Sequence, residues 1–405
     1  MSVNKPPALE ESLGLEVYKS STTGIGGRIK VECIDFIVEE VDLAGNVVEI
    51  KDLSPDVPSK RDGRFLHFTL VKTNWDTHRA IKEISSRLGI SQRRLGFAGT
   101  KDKKAVSSQR VSAENVSVED ALKVSIKDLE IGGLCYQDNP IELGDLWGNH
   151  FTIVIREVDG SDIKQNINET ESQLTGGFPN FFGLQRFGIQ RPITHLVGKA
   201  LIKGDVKQAV MIYLSATFGG EQVEEAEARN ALADSGDFSE ALKNFPRYLG
   251  YEKAMLNHLV KKPDDFSGAI TQLPFNLQMM FVHAYQGWIF NRALSEYVRN
   301  DWTVERLPLV GFATPPDEVS AKILDSEGVT QGDFRLRNPR RLSSKGSVRD
   351  CWKPVLDFKL LEVTNDELNK GKEKATLSFK LEKGSYATTL IREYMKNEWW
   401  GKIPD

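Results

Sequence analysis

Strand patterns at both ends of the chain enclose a long helical middle, and this order limits the possible folds. Alternating apolar residues predict five strands, at 29–41, 64–75, 149–158, 355–363 and 375–383. The segment 195–262 is helical and polar, and 273–300 predicts a long helix that is apolar on several faces and therefore buried. Strands at both ends with helices between them predict an α+β fold in which a mainly helical domain is inserted.

Two shorter helices are predicted within the first half. The first spans 77–90, with Thr77 as its N-cap and Gly89 as its stop. The second spans 161–175 and opens at Ser161 or Asp162. A loop rich in glycine and aromatic residues follows at 176–188.

The charge balance excludes a chain that is basic along its whole length. The 405 residues include 53 Lys plus Arg and 57 Asp plus Glu, a formal net charge of -4. Binding of nucleic acid must therefore depend on a local basic patch. Conversely, residues 205–240 hold eight acids against Lys207 and Arg229 and are expected to form a solvated surface turned away from any such patch.

Cysteine spacing and hydropathy indicate a cytoplasmic protein. Cys33, Cys135 and Cys351 lie far apart without a CxxC or Cys/His pattern, which predicts reduced thiols and neither a disulfide framework nor a zinc site. The six histidines are scattered singly, so a histidine-based metal site is not expected. No segment approaches the roughly 18 apolar residues of a membrane span, and the N-terminus lacks a signal-peptide pattern.

The densest candidate for chemistry is the segment GFAGTKDKKAVSSQRVS at 96–112. Between residues 91 and 110, six basic side chains accompany the single acid Asp102: Arg93, Arg94, Lys101, Lys103, Lys104 and Arg110. Nearby cations favour the ionised form of a carboxylate, and an ionised aspartate can act as a nucleophile or a base. The alternative is that Asp102 caps a turn or pairs with a lysine.

Two further segments combine aromatic and polar residues. FPNFFGLQRFG at 178–188 places phenylalanines beside Asn180, Gln185 and Arg186, a combination that can stack on a splayed base and bind its edge. The alternative is a loop pinned into the core by its phenylalanines. In LEKGSYATTLIREYMK at 381–396, Tyr386 follows a tight turn and can stack, donate a hydrogen bond or pack.

These segments, in this order, resemble the TruD family of pseudouridine synthases, which convert uridine 13 of tRNA and related uridines. DFIVEE, LGDLWGNHFTI, FVHAYQGWIFN, LPLVGF and GSVRD resemble further family segments across nearly the whole chain, in the style of archaeal members. The resemblance implies a catalytic domain on a mixed or antiparallel sheet, at 1–190 plus 350–405, and an inserted TruD-type domain at 191–349. It also implies a cytoplasmic, monomeric enzyme that acts on tRNA without a metal or another cofactor.

The resemblance also implies roles for individual residues. Asp102 corresponds to the family nucleophile, and Lys30 to the basic residue that holds it ionised. Four residues correspond to positions that bind the uridine: Phe36, Asn180, Phe182 and Tyr386. Weaker contacts with RNA are expected from the basic residues around them, namely Arg93, Lys101, Lys103, Lys104, Arg110 and Arg186.

Two other classes of protein remain open from the residues alone. A non-catalytic RNA-binding or RNA-chaperone protein explains the basic patch and the aromatics, but not the single acid among them. A glycoside hydrolase needs a second carboxylate, for which Glu39 is a candidate neighbour.

Overall fold

The computed structural model describes residues 5–51, 53, 58, 62–160 and 162–398. In these ranges, the strands are β1 (Phe36–Val41), β2 (Phe65–Thr73), β3 (Leu95–Phe97), β4 (Val106–Glu114), β5 (Leu129–Gln137), β6 (Gly148–Val158), β7 (Phe178–Pro179), β8 (Arg306–Leu309), β9 (Ser347–Asp350), β10 (Trp352–Lys353), β11 (Leu356–Asn365) and β12 (Glu373–Glu382). The helices are α1 (Ala8–Ser12), α2 (Thr77–Arg87), α3 (Val118–Leu122), α4 (Ile163–Gln173), α5 (Thr194–Ile202), α6 (Val206–Ser215), α7 (Val223–Ser235), α8 (Phe238–Asn244), α9 (Gly250–Lys261), α10 (Phe266–Ile270), α11 (Phe275–Arg299), α12 (Glu318–Glu327) and α13 (Ala387–Met395).

A mixed sheet joins the two ends of the chain. Its strand order is β11-β12-β6-β1-β4-β2-β5, with β3 paired to β4. The β1–β4 pair is parallel, and the other pairs of this sheet are antiparallel. The α+β class and the mixed sheet are therefore confirmed, and β12 returns from the C-terminal part of the chain to lie beside β6.

Helices cover one face of the sheet and form two apolar cores with it. One core joins β1, β6 and β12 to α4 and α13, and the other joins β2, β4 and β5 to α2. Because side chains alternate between the faces of a strand, Phe36 and Val38 of β1 share this face with Phe151 of β6. Glu39 projects to the opposite face.

A third core is almost entirely helical and is organised around α11. Both α5 and α12 pack against α11, and its buried face includes Phe281, Tyr285, Phe290 and Leu294. The same core contains Leu13 and Leu15 of the N-terminal segment and four residues from the 181–187 loop. The domain boundaries 1–190 plus 350–405 and 191–349 stay a prediction. The N-terminal segment and the 181–187 loop belong to the predicted catalytic domain, but they pack into the helical core. Within the described residues, no helix is long and apolar enough to cross a membrane.

Local differences from the predicted elements have identifiable causes. The strand predicted at 29–41 begins only at Phe36, because Lys30 adopts a left-handed backbone with φ of 57° and Cys33–Asp35 form a 3₁₀ turn. The predicted N-cap Thr77 was wrong, since the Asp76 side chain accepts the Arg79 N–H at 3.0 Å. Of the two proposed openings of α4, Asp162 is the N-cap, and Ser161 lies outside the described residues.

Candidate active site

An ion pair between Asp102 and Lys30 forms the centre of the site. The Lys30 Nζ donates a hydrogen bond to Oδ1 of Asp102 at 3.0 Å. The same ammonium lies 4.0 Å from the centre of the Phe36 ring. The lysine side chain is 10% exposed and the aspartate 39%, so the carboxylate remains accessible while its partner is shielded. The structure thus brings together three residues that the sequence analysis selected.

A buried lysine beneath Asp102 was not predicted. Lys72 of β2 is fully buried, and its Nζ donates to the backbone carbonyls of Trp75 at 2.7 Å and Asp102 at 2.8 Å. The Lys101 carbonyl is a third and longer contact at 3.4 Å. Burial lowers the pKa of Lys72 to about 8, partly offset by the charge of Asp102. Lys72 therefore holds the backbone of Asp102, whereas Lys30 holds its side chain.

Several side chains fix the rest of the loop that carries Asp102. The Thr77 hydroxyl accepts the Lys101 N–H at 3.0 Å, and the Gln109 amide donates to the Gly99 carbonyl at 3.0 Å. The Lys101 ammonium pairs with Glu40 of β1 at 2.7 Å, and both side chains are only 2% exposed. These contacts tie the loop to α2, β4 and β1, so Asp102 is presented on a rigid turn.

A cavity of about 470 Å³ opens beside Asp102. Its walls combine aromatic and apolar side chains with amides and hydroxyls: Phe36, Val38, Asp76, His78, Thr100, Lys101, Asp102, Asn149, Phe151, Gln185, Ser385, Tyr386, Ala387 and Thr388. Tyr386 stands at the start of α13, where its ring is half-buried. The cavity thus joins the Asp102 loop to the Tyr386 turn, which are distant in the sequence.

Asn180 and Phe182 lie behind this cavity and do not line it. Asn180 is 1% exposed, and its amide donates to the Asp350 carbonyl at 2.8 Å. The Phe182 ring packs edge to face against Tyr386 at 6.2 Å between centroids. This placement differs from the expected direct contacts with the uridine, because the Asn180 amide already bonds to the Asp350 carbonyl and to the Arg349 guanidinium of β9.

Arg349 of β9 links these residues and was not selected from the sequence. Its guanidinium donates to Oδ1 of Asn180 at 2.6 Å and to the Gly384 carbonyl at 3.2 Å. It also stacks on the Phe182 ring at 4.1 Å from the centroid. Burial lowers the pKa of Arg349 to about 10. Arg349 therefore connects the 178–188 loop with the turn that carries Tyr386.

The predicted basic wall around Asp102 is only partly present. Arg93 and Lys103 are exposed, and Lys104 is half-buried. Lys101 is committed to Glu40, and Arg110 donates to the Gly133 carbonyl at 2.8 Å on the opposite face of β4. The predicted contacts with RNA therefore do not fit the buried position of Lys101 or the position of Arg110 on the opposite face of β4. Arg186 lies beside the cavity, 5.1 Å from the centre of the Phe182 ring.

The acids near the site differ in their availability. Glu39 lies on the far face of the sheet, where it accepts hydrogen bonds from the Ile50 N–H at 2.8 Å and His150 Nδ1 at 2.9 Å. Asp76 borders the cavity, but it caps α2. Two acids among the described residues line the cavity, Asp76 and Asp102, and of these two Asp102 is the one paired with a lysine. One activated carboxylate beside a partly apolar cavity is suited to attack on carbon or to proton abstraction.

Comparisons with known proteins cover nearly the whole chain. The family model described as tRNA pseudouridine synthase D (TruD) matches residues 12–311 and 304–394. A Methanosarcina acetivorans protein named "Probable tRNA pseudouridine synthase D" is 37% identical, over 96% of this chain and 97% of its own length. A protein of the same name from Methanococcoides burtonii is 34% identical, over 98% and 99%.

A solved structure agrees in fold as well as in sequence. It is a crystal structure of the "Putative tRNA pseudouridine synthase D (TruD)" from Methanosarcina mazei, with a TM-score of 0.80 and 35% identity. The match covers 98% of this chain and 99% of the crystallised chain.

Proposed function

The chain belongs to the TruD family of tRNA pseudouridine synthases, and from this membership we propose that it isomerises uridine 13 of tRNA with Asp102 acting on the ribose. The observation that supports this role best is the Lys30–Asp102 pair at the wall of a cavity that also holds Tyr386. A purely RNA-binding protein has no need for a carboxylate held in this way.

The target nucleotide must first leave its stack. Unstacking a base costs roughly a few kcal/mol, which contacts with the phosphate backbone and the cavity offset. The flipped uracil enters the cavity and stacks on Tyr386. The Lys30 ammonium occupies one face of the Phe36 ring, so Phe36 acts as a wall and as a platform for Lys30.

Asp102 then acts on the ribose by one of two routes. It attacks C1' and displaces uracil through N1, or it removes the C2' proton as uracil leaves, which gives a glycal. In the first route, the detached uracil rotates and its C5 attacks C1', which releases the Asp102 carboxylate. In the second, C5 adds to the glycal and the proton returns to C2'. In both routes C5 loses a proton and N1 gains one, so the product is an isomer and no water is consumed.

Asn180 and Phe182 take supporting roles in this proposal. Through Arg349 they hold the Gly384 carbonyl, and Phe182 contacts the Tyr386 ring directly. The apolar side chains of Val38, Phe151 and Ala387 keep water from the detached uracil, which must stay in the cavity until it is rejoined.

Mapping of pseudouridine in an unmodified tRNA transcript tests the proposal. The purified protein should convert uridine 13 with no release of free uracil. A transcript with cytidine at position 13 is the matched control and should gain no pseudouridine. Release of uracil would indicate a glycoside hydrolase, and a transcript that binds without modification would indicate an RNA-binding protein; either result contradicts the proposal.

A further inference from the structure

Two arginine side chains share one aromatic ring, that of Phe182 behind the cavity. The central guanidinium carbons of Arg349 and Arg186 lie 4.1 Å and 5.1 Å from the centroid of the Phe182 ring. Arg186 belongs to the 178–188 loop and Arg349 to β9, so two segments that are distant in the sequence each supply one cation. The positive charge of Arg186 contributes to lowering the pKa of Arg349, as expected for neighbouring cations.

Neither guanidinium has a carboxylate partner among the described residues. Arg349 donates only to neutral acceptors, the oxygens of Asn180 and the Gly384 carbonyl. Arg186 makes no side-chain hydrogen bond in the described part of the chain, and its Nε is buried without an acceptor. By contrast, Arg191, which is half-buried like them, pairs with Glu221 at 3.0 Å.

The nearby acid Asp350 acts on Arg349 through its charge, but it supplies only part of the missing negative charge. Asp350 is engaged by Arg306 at 2.9 Å and by Lys353 at 3.2 Å. Burial, followed by the charge of Arg186, lowers the pKa of His283, so this side chain is neutral at physiological pH. The arginine pair is therefore a half-buried site of incompletely compensated positive charge, which favours the binding of an anion.

The position of the pair relative to the cavity identifies the anion. Gln185 and Ser385 line the cavity, and they adjoin Arg186 and the Gly384 carbonyl bound by Arg349. An anion beside these arginines is therefore next to the nucleotide whose base fills the cavity. Guanidinium groups suit phosphate because they present several N–H donors in a plane.

We propose that Arg186 and Arg349 bind a phosphodiester of the RNA strand adjacent to the flipped uridine. The proposal rests on the proposed function, because it assumes that the cavity takes a nucleotide of RNA. The two arginines anchor the backbone on one side of the cavity while Lys30 and Asp102 engage the sugar. Because Arg349 also holds the Tyr386 turn, phosphate binding stabilises the stacking side chain in place.

The salt dependence of tRNA binding tests the phosphate site. Arg186 is the residue to change, because its guanidinium has no protein acceptor whose loss would disturb the fold. The affinity of a fluorescent tRNA transcript is measured over a series of KCl concentrations for the wild type, Arg186→Gln and Arg186→Lys. Losing one phosphate contact should reduce the slope of log K against log [KCl] by about 0.7–0.9 in Arg186→Gln, and Arg186→Lys should keep most of the slope.

A surface arginine provides the matched control. Arg299 at the end of α11 pairs with Glu16 and Glu296, so Arg299→Gln removes the same charge and should leave the slope unchanged. A slope in Arg186→Gln equal to that of the wild type would overturn the phosphate site, and so would equal reductions in Arg186→Gln and Arg299→Gln. If the wild type makes pseudouridine while Arg186→Gln keeps its slope, only the phosphate site fails; if the wild type does not modify tRNA, the proposed function fails.

Discussion

Asp102 is held at two points by two lysines with different tasks. Lys30 bonds to its carboxylate and Lys72 to its carbonyl. An aspartate in a mobile loop usually explores many rotamers. In Asp102, the two contacts restrict both the backbone and the side chain before the substrate binds. Pre-organisation of this kind lowers the entropy that must be lost during the reaction.

Substitution of Tyr386 tests stacking. Tyr386→Phe keeps the ring and should retain most of the activity, whereas Tyr386→Ala should lose about 1–3 kcal/mol of stacking on the uracil. The comparison of kcat/KM for the two variants on the same tRNA transcript measures the effect. Equal losses would show that the hydroxyl, and not the ring, carries the role.

The protonation of Lys72 predicts an alkaline limit to activity. Its ammonium donates to carbonyl oxygens, and a neutral amine would turn a lone pair toward one of them. Because its pKa is lowered from 10.5 to about 8, kcat/KM should fall as the pH rises through about 8. The same shift means that charged Lys72 reduces the stability of the fold below pH 8, and that this cost declines as the pH rises toward 10.5.

The groups that face Lys72 provide the controls for this pH profile. They are Asp102, Asp76, Lys101 and Cys33. A thiol can also lose its proton in the alkaline range, so Cys33→Ala should keep the descending limb. In Lys72→Met, the residual kcat/KM should not fall as the pH rises through about 8. A fall that persists in Lys72→Met would contradict the role of Lys72.

Sequence reasoning located the site residues unevenly, for physical reasons. Asp102 was visible because it is a single acid among six basic residues, but three of these neighbours, Arg94, Lys101 and Arg110, bind protein groups. Lys72 did have a signal, since it continues the inward face of Leu66, Phe68 and Leu70, where an unpaired lysine is rare. Arg349 was not selected, because its partners Asn180 and Gly384 lie 169 and 35 residues away, and no local pattern links them.

At the level of elements, the N-terminal segment joins the helical core to the sheet. Backbone carbonyls of Leu13 and Gly14 accept hydrogen bonds from Asn291 and Ser295 of α11. A few residues further on, the Ser20 N–H donates to Glu393 of α13 at 3.0 Å. One extended segment thus contacts both α11 and α13, which no periodicity in the sequence indicates.

A buried ion cluster on α13 secures this segment. Arg392 is 2% exposed and lies 2.9 Å from Glu10 and 3.3 Å from Glu393. Arg392→Met would leave two carboxylates buried without their cation, and we expect the free energy of unfolding to fall by about 3–5 kcal/mol. Urea titration of both proteins measures the difference.

The pH dependence and a surface variant refine this prediction. Burial already raises the pKa of Glu10, so the loss should be smaller at about pH 5, where buried carboxylates take up protons more readily.

Arg299→Met breaks an exposed pair and should cost about 0–1 kcal/mol. A loss in Arg392→Met as small as that in Arg299→Met would show that the cluster does not hold the segment.

Strands and long helices were predictable because their apolar pattern reflects burial on one face. The strands β2, β6, β11 and β12 and the helix α11 follow their predicted positions closely. β4 was not separated from the loop before it, because Ser107, Ser108, Gln109 and Ser112 are buried there although they are polar, which hides the apolar alternation of a strand. Lys30 interrupts a strand-like pattern through a backbone conformation that its sequence does not signal.

Across the whole molecule, the charge is divided differently from the sequence prediction. The basic segment at 91–110 buries part of its charge, and residues 335–349 hold six basic side chains without an acid: Arg335, Arg337, Arg340, Arg341, Lys345 and Arg349. Most acids of 205–240 are exposed or half-buried, as expected, but Glu221 is buried with Arg229. We therefore expect RNA to contact the 335–349 segment as well as the Asp102 loop.

The most direct test of the account replaces the proposed nucleophile with its amide. Asp102→Asn keeps the size of the side chain and an oxygen that can bond to Lys30, but it removes the negative charge. Asp76→Asn is the control, because it changes the other carboxylate of the cavity and preserves an effective cap of α2. Pseudouridine in tRNA is quantified after incubation with each variant at equal bound tRNA. We expect Asp102→Asn to form no pseudouridine and Asp76→Asn to retain most of the activity; a wild-type yield from Asp102→Asn would contradict the role of Asp102.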